Sequence, residues 1–319
     1  RYGDVPRSVL TADWSDKTTQ DTSTSYQDAR RTSKHAGTRF DLSGVGARHG
    51  QLSRFPQNIG KFAVKFYTPD KLEGPQASYF KNDLPTVLDP FAGHNSRMSL
   101  VHSVERNYVG HDISANFMRS NREERERLLS QNLLVPNNAK IELVEADSTL
   151  MKYPPVFDFC LTSPPFWDLE DYGDEPGQLG KKNKKSYKNF LRDLNKVVAS
   201  CYIALKPGAF IAWEFNDFTK RGRFYPYWMH GAMLFSRYFS LHQIIVIDYG
   251  HGFLASFAQD IQAHHLVSKE HAYLVVAQKK ANKKPRAEVR EDLLEDFEEY
   301  LKDGKVTHQY ALEMPHEGV

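Results

Sequence analysis

Thr86-Val87-Leu88-Asp89-Pro90-Phe91-Ala92-Gly93 is an apolar run that ends in an acid, a proline and a glycine turn. Such a run reads as a buried strand feeding a tight turn. The pattern returns about twenty residues later in Asn107-Tyr108-Val109-Gly110-His111-Asp112-Ile113-Ser114, and again in Ile141-Glu142-Leu143-Val144-Glu145-Ala146-Asp147. Ser114 is placed to cap a charged helix running from Ala115 to about Asn132. Three acids at successive strand ends, with helical segments between them, predict a parallel α/β sheet.

The fourth apolar run, Val156-Phe157-Asp158-Phe159-Cys160-Leu161, closes in Thr162-Ser163-Pro164-Pro165-Phe166-Trp167. Two consecutive prolines stiffen the exit from the strand, because each fixes φ and restricts the residue before it. Ser163 then stands as a small polar group beside the aromatic face of Phe166. That rim suits a flat ring bearing an amino group, although Ser-Pro-Pro-Phe by itself is equally a proline-rich strand-to-loop turn. The upstream strands tip the balance. Acids along the carboxyl edge of a parallel sheet suit a nucleoside-containing cofactor, whose ribose hydroxyls donate to a carboxylate about twenty residues after the glycine turn.

Taken together, these motifs resemble the S-adenosylmethionine-dependent DNA amino-methyltransferases, which modify exocyclic amines of cytosine or adenine. The resemblance rests on Asp89-Pro90-Phe91-Ala92-Gly93 as motif I, Asp112 as motif II, Asp147 as motif III and Thr162-Ser163-Pro164-Pro165-Phe166 as motif IV. Phe55-Pro56 and Phe66-Tyr67-Thr68-Pro69 look like motif X, and Trp167 to Gly173 with Gly177-Gln178-Leu179-Gly180 resembles a continuation common in bacterial and phage members. It covers roughly residues 51 to 280 in an unpermuted order. It implies a Rossmann-like methyltransferase fold: a mostly parallel seven-stranded sheet with an antiparallel edge strand and helices on both faces. It also implies S-adenosyl-L-methionine as cofactor, held by Phe55, Thr68, Asp89, Phe91, Gly93, Asn95, Ser96, Asp112, Ile113, Asp147, Ser148 and Thr162. Ser163, Pro164, Pro165 and Phe166 would form the catalytic rim, and DNA modification of the restriction-modification kind would follow.

One run departs from the family. After Gly93 a small residue, a second glycine and two hydroxyl residues are usual, whereas this chain has His94-Asn95-Ser96-Arg97. Asn95 is among the few residues that enter the left-handed region at modest cost, and Ser96 can cap the helix that follows. His94 and Arg97 are open to three readings: narrowing the methionine pocket, touching substrate, or facing solvent. We expect them to face solvent or to lie behind the site.

The 319 residues carry a net charge of +2. Residues 288 to 319 hold 10 acids and 3 bases, a net of −7, which leaves the remaining 287 residues at +9. A basic body fits a polyanionic partner, here duplex DNA with a flipped base. The dense runs are Lys181 to Lys188 and Lys279 to Arg286. Trp167, Lys182, Lys184, Lys185, Lys220, Arg221 and Arg223 are the expected substrate-facing residues, with Phe218–His230 and 250–269 as base-reading segments. A solvated lysine surface is the competing use.

Three regions are expected: a polar N-terminal arm over 1–50, a methyltransferase domain over 51–280, and a basic link with an acidic amphipathic helix over 281–319. That helix is expected to dock on its own domain, with a homodimer contact as the competing use. Two further elements are expected, a helix from Ser186 to Leu205 ended by Lys206-Pro207-Gly208, and a strand over Ala209–Phe215. Leu241–Asp248 and His271–Gln278 would then close the sheet. Two cysteines suggest reduced thiols. No apolar run approaches the roughly 20 residues of a membrane span, so a cytoplasmic protein is expected, in a bacterium or phage-infected cell. The histidines, His264-His265 included, lack ligand spacing, so no metal is expected. The absence of a Pro-Cys nucleophile argues against carbon-5 cytosine methylation, and no P-loop is present. Two other functions stay open: methylation of RNA or a protein amide, and an inactive nucleic-acid-binding subunit.

Overall fold

The computed structural model describes residues 8–12, 55–74, 77–130, 137–169, 172, 175–220, 223–249 and 271–280. In chain order the elements are strand β1 (Val9–Thr11), helix α1 (Gln57–Tyr67), β2 (Thr86–Asp89), α2 (Ser96–Ser103), β3 (Asn107–Asp112), α3 (Ala115–Leu129) and β4 (Ile141–Glu145). A 3-10 turn (Ser148–Leu150) precedes β5 (Phe157–Thr162), a short α4 (Leu179–Lys182), α5 (Tyr187–Ala204), β6 (Leu205–Phe215) and a hairpin of β7 (Phe218–Lys220) and β8 (Arg223–Tyr225). The last elements are α6 (Tyr227–Ser236), β9 (Ser240–Asp248) and β10 (His271–Gln278). The expected acidic C-terminal helix, most of the N-terminal arm, Arg221 and residues 250–269 lie outside the described residues.

Eight strands form one sheet in the order β1-β9-β10-β6-β5-β2-β3-β4. Neighbours from β6 through β5, β2 and β3 to β4 are all parallel, and β10 alone runs against its neighbours β6 and β9. This is the expected Rossmann-like α/β fold with two differences in detail. The antiparallel strand is inserted between β6 and β9 instead of lying at the edge. An eighth strand, β1, pairs parallel with β9 in the register Val9↔Val246. The arm thus contributes to the sheet at these residues, and Ala12 is buried against it.

Residue alternation places a core on each face. Val87, Tyr108, Phe159, Leu161 and Ala212 point to the side covered by α1 and α2. Leu88, Val109, Cys160, Ile211 and Trp213 point to the side covered by α5 and α6. Every residue of β2 and β5 is buried, as strands covered on both faces require. Helix α5 follows from its own pattern: Phe190, Leu191, Leu194, Val197, Val198 and Cys201 make one apolar stripe, and the Ser186 side chain caps it by accepting from the Asn189 N–H. Each fully buried large apolar side chain there contributes about 1.5–3 kcal/mol. The Lys206-Pro207-Gly208 breaker does not form a loop. It is absorbed as a register irregularity at the start of β6, with Gly208 at φ +86.

The sheet has its switch point between β2 and β5, whose onward connections diverge to β3 and β6. In open α/β sheets a crevice forms there, outside the carboxyl ends of the strands. Among the described residues no helix is long and apolar enough to cross a membrane.

Candidate active site

A cleft open to solvent occupies that switch point. One wall is the glycine turn and the ends of β2 and β3; the other is the rim after β5. Of the expected residues, Phe91, Gly93, Ser96, Asp112, Ile113, Asp147 and Ser148 line the first side, and Ser163, Pro164, Pro165 and Phe166 line the second.

The glycine turn is built around Asp112. Gly93 takes φ +50, which suits a residue without Cβ. Its N–H donates to Asp112 Oδ2 at 2.7 Å, while the Ser114 N–H donates to Oδ1 at 2.8 Å. Asn121, from α3, donates to the Gly93 carbonyl at 2.9 Å. Burial pushes the Asp112 carboxyl up to about 6, opposed by the two backbone N–H groups. Ser114 does precede α3 as foreseen, but its side chain makes no cap; Asp112 serves that backbone instead.

Asp89 lies below this turn, fully buried and outside the cleft lining. Its carboxylate accepts from Arg97 Nε at 2.7 Å, Tyr108 Oη at 2.8 Å and Thr162 Oγ1 at 2.6 Å. Arg97 also donates to the carbonyls of Phe91 and Ala92, and its guanidinium sits 5.9 Å from the ring centre of Phe55. Arg97 therefore does not face solvent: it is 6% exposed and fastens the turn from beneath. His94 lines the cleft and packs on Phe117 at 5.0 Å. Asn95 needs no left-handed conformation, standing at φ −60 and ψ −5, and makes no side-chain cap.

Asp147 accepts from the N–H and hydroxyl of Thr149, and Ser148 donates to the Pro90 carbonyl. Gly177 lies against Ile113 and Asp147: a Cβ there would come within 2.4 Å of Ile113 Cδ1 and 3.2 Å of Asp147 Oδ2. A side chain at this position would have to push aside the end of Ile113.

The rim is held through its carbonyls and rings. Tyr227 Oη donates to the Pro165 carbonyl at 3.0 Å, and the Phe166 N–H donates to Tyr172 Oη at 3.2 Å. Phe166 meets Tyr227 edge-on at 6.1 Å. Trp167 turns away from the cleft, with φ +50 and 7% exposure. Its indole N–H donates to the Asn183 carbonyl at 2.9 Å, and its ring packs among Tyr187, Tyr225 and Phe218.

Several expected residues stand apart from the cleft. Phe55 is buried under Arg97. The Thr68 hydroxyl donates to the Val64 carbonyl and accepts from Arg106 Nε. Lys182 pairs with Asp193 at 3.2 Å, Lys184 reaches Asp168 at 3.8 Å, and Lys220 binds the Asp168 carboxylate and carbonyl. Lys185 is exposed, and Arg223 lies 5.3 Å over Tyr225. Arg221 is outside the described residues. Conversely, Tyr172, Phe117 and Gln178 line the cleft without having been singled out. Tyr172 and Gln178 fall in the stretch after the rim that resembled a family continuation; Phe117 carries no sequence signal beyond its place at the start of α3. No group of three or more metal-ligating side chains exists among the described residues.

Further down β6, Glu214 is buried and accepts from Tyr249 Oη at 2.6 Å. Burial pushes its carboxyl up to about 7, opposed by that hydrogen bond and by Arg97.

No protein-family model and no curated protein sequence matches the chain. Among solved structures it is similar to a SAM-dependent methyltransferase of Methanosarcina mazei, at 15% identity over 72% of this chain and 99% of that one, TM-score 0.45. A SAM-dependent O-methyltransferase of Thermotoga maritima gives 11% identity over 74% and 70%, TM-score 0.43. An rRNA methylase of Streptococcus thermophilus gives 10% over 72% and 99%, TM-score 0.39. Likenesses this distant say nothing about what this chain acts on.

Proposed function

We propose that the protein transfers a methyl group from S-adenosylmethionine to the exocyclic amine of a base in DNA, cytosine N4 in preference to adenine N6. One observation carries the reading: the Ser163-Pro164-Pro165-Phe166 rim and the Asp112-clamped glycine turn line the same cleft from opposite sides.

The residues fit the cofactor. Asp112 offers a carboxylate for ribose hydroxyls, Ile113 and Phe117 offer apolar surface for a flat ring, and the N-terminus of α2 at Ser96 suits a carboxylate. When bound, S-adenosylmethionine supplies an electrophilic methyl group. The chain's own part is positioning. An aromatic amine is a poor nucleophile because its lone pair is delocalised into the ring. Ser163 Oγ and the Pro164 carbonyl accept the two amine N–H groups and draw them from the ring plane, which returns lone-pair density to nitrogen. Phe166 holds the ring face. Tyr227 occupies the neighbouring Pro165 carbonyl, which fixes the direction of the rim. Orientation and electrostatics then lower the barrier without a strong base. In duplex DNA the base must leave the stack to reach the cleft. The serine at the head of the rim, where adenine enzymes of the resembling family more often carry Asp or Asn, favours cytosine.

Incubation with labelled S-adenosylmethionine and DNA, followed by nucleoside mass spectrometry, tests this. The expected product is N4-methylcytosine. N6-methyladenine alone would overturn the base preference, and label appearing only in RNA or a peptide amide would overturn the DNA reading.

A further inference from the structure

We infer that Lys220 is a positioning residue for the rim: its ammonium group locks the strained turn that follows Phe166 and so sets where the Phe166 ring stands. The inference rests on the proposed function, which makes the rim the place where the amine is held.

The first observation is the turn itself. The Leu169 N–H donates to the Phe166 carbonyl at 3.1 Å, which closes a turn over residues 166–169. Trp167 holds the first central position at φ +50, and Asp168 after it is not left-handed. A turn with positive φ at that position alone ordinarily takes glycine there. A bulky aromatic in this conformation is strained, and such strain persists only where the surroundings impose it.

The second observation is what imposes it. The Trp167 indole N–H donates to the Asn183 carbonyl. Its carbonyl oxygen lies against Gly180, where a Cβ would collide with it. Lys220, at the end of β7, closes the remaining side. Its Nζ donates to the Asp168 carbonyl at 2.7 Å and to the Asp168 carboxylate, and it stands 4.8 Å over the Trp167 ring. One ammonium group thus touches both central residues of the turn.

A surface ion pair ordinarily contributes little. Lys184, 67% exposed and 3.8 Å from Asp168, is of that kind. Lys220 and Asp168 are 16% and 18% exposed, so their contact is shielded. Lys220 also stands outside the cleft lining, so it acts through the rim and not on the substrate. The Phe166 N–H is held by Tyr172 and its carbonyl by the turn. Loosening the turn therefore frees one end of the residue that holds the base.

The test compares wild type with Lys220→Met, which keeps an apolar stem and removes the charge, and with Lys220→Arg, which returns it. Single-turnover methylation is measured at saturating labelled S-adenosylmethionine and duplex DNA. Cofactor affinity is measured by calorimetry, and DNA affinity is titrated over a range of salt. Lys220→Met should lower the single-turnover rate by about tenfold or more, with both affinities and the salt slope unmoved. Lys220→Arg should recover part of the rate. Where Lys220→Met shifts the unfolding midpoint, Asp168→Asn decides: it keeps the carbonyl contact and should lower the rate in the same direction by less. A wild-type rate in the deciding variant overturns the assignment and leaves the proposed function standing. Weaker DNA binding with a shallower salt slope and an unchanged rate also overturns it, and makes Lys220 a phosphate contact. A wild-type protein that transfers no methyl group to DNA overturns the proposed function and this inference with it.

Discussion

The glycine-turn wall of the cleft is tied together by charge, and the rim wall by carbonyl hydrogen bonds and rings. On the first, the Asp89 carboxylate joins three elements at once: Arg97 of α2, Tyr108 of β3 and Thr162 of β5. On the second, Tyr227 and Tyr172 hold single groups of Pro165 and Phe166 while aromatic faces fill the space around them. A buried ion pair fails abruptly when one partner is lost, whereas an aromatic block yields by degrees. Damage to the first wall should therefore appear as lost stability, and damage to the second as lost turnover.

The sharpest way to break this contrast is Asp89→Asn. It leaves the buried Arg97 guanidinium without its adjacent counter-charge, and we expect a loss of about 3–5 kcal/mol in urea unfolding. An unchanged midpoint would mean that the turn is not held by charge. Glu214 probes the same electrostatics from further off. Its carboxyl, about 7 in the fold against an ordinary 4.5, holds its proton more tightly when folded. The stability it contributes is complete below 4.5 and is lost as pH rises through 7. Glu214→Gln does not titrate, so its stability relative to wild type should rise across that window, by about 3 kcal/mol at most. Equal pH profiles for the two proteins would refute a protonated Glu214.

On the rim, Ser163→Ala and Phe166→Ala should each lower the single-turnover rate by about a hundredfold with little change in unfolding or cofactor affinity. A wild-type rate in either would remove the rim from the chemistry. Asp112 sits where the two behaviours meet, since it both clamps the turn and faces the cleft. Asp112→Ala should weaken S-adenosylmethionine binding by about 1.5–3 kcal/mol. On the proposed function the ionised form is the one that accepts the ribose hydroxyls, so affinity should fall as pH drops below about 6. Calorimetry across that range would show it.

The strands and the rim were legible because each states itself locally. An apolar run, a terminal acid and a proline pair need no knowledge of neighbours, and β10 emerged at the bounds its pattern gave. What stayed hidden depends on partners. Asp89 and Asp112 end their strands alike, yet one is consumed by three buried donors and the other opens onto the cleft. Nothing in Arg97 announces that it folds back on Asp89. Trp167 reads as another aromatic of the rim, and only its left-handed backbone turns it into the hairpin's packing. The insertion of β10 between β6 and β9 is likewise a choice of pairing that periodicity does not encode.

The edge strand β1 has a consequence in time. Its pairing partner β9 is made late: Val9 meets Val246, and the Val246 N–H reaches back to the Ser8 carbonyl. During synthesis the strand must wait through nearly the whole sheet before it has anywhere to go. With only three residues it offers little edge for stray pairing in that interval. Its docking cannot begin until β9 has been synthesised, so the strand that comes first in the chain is among the last to gain a partner.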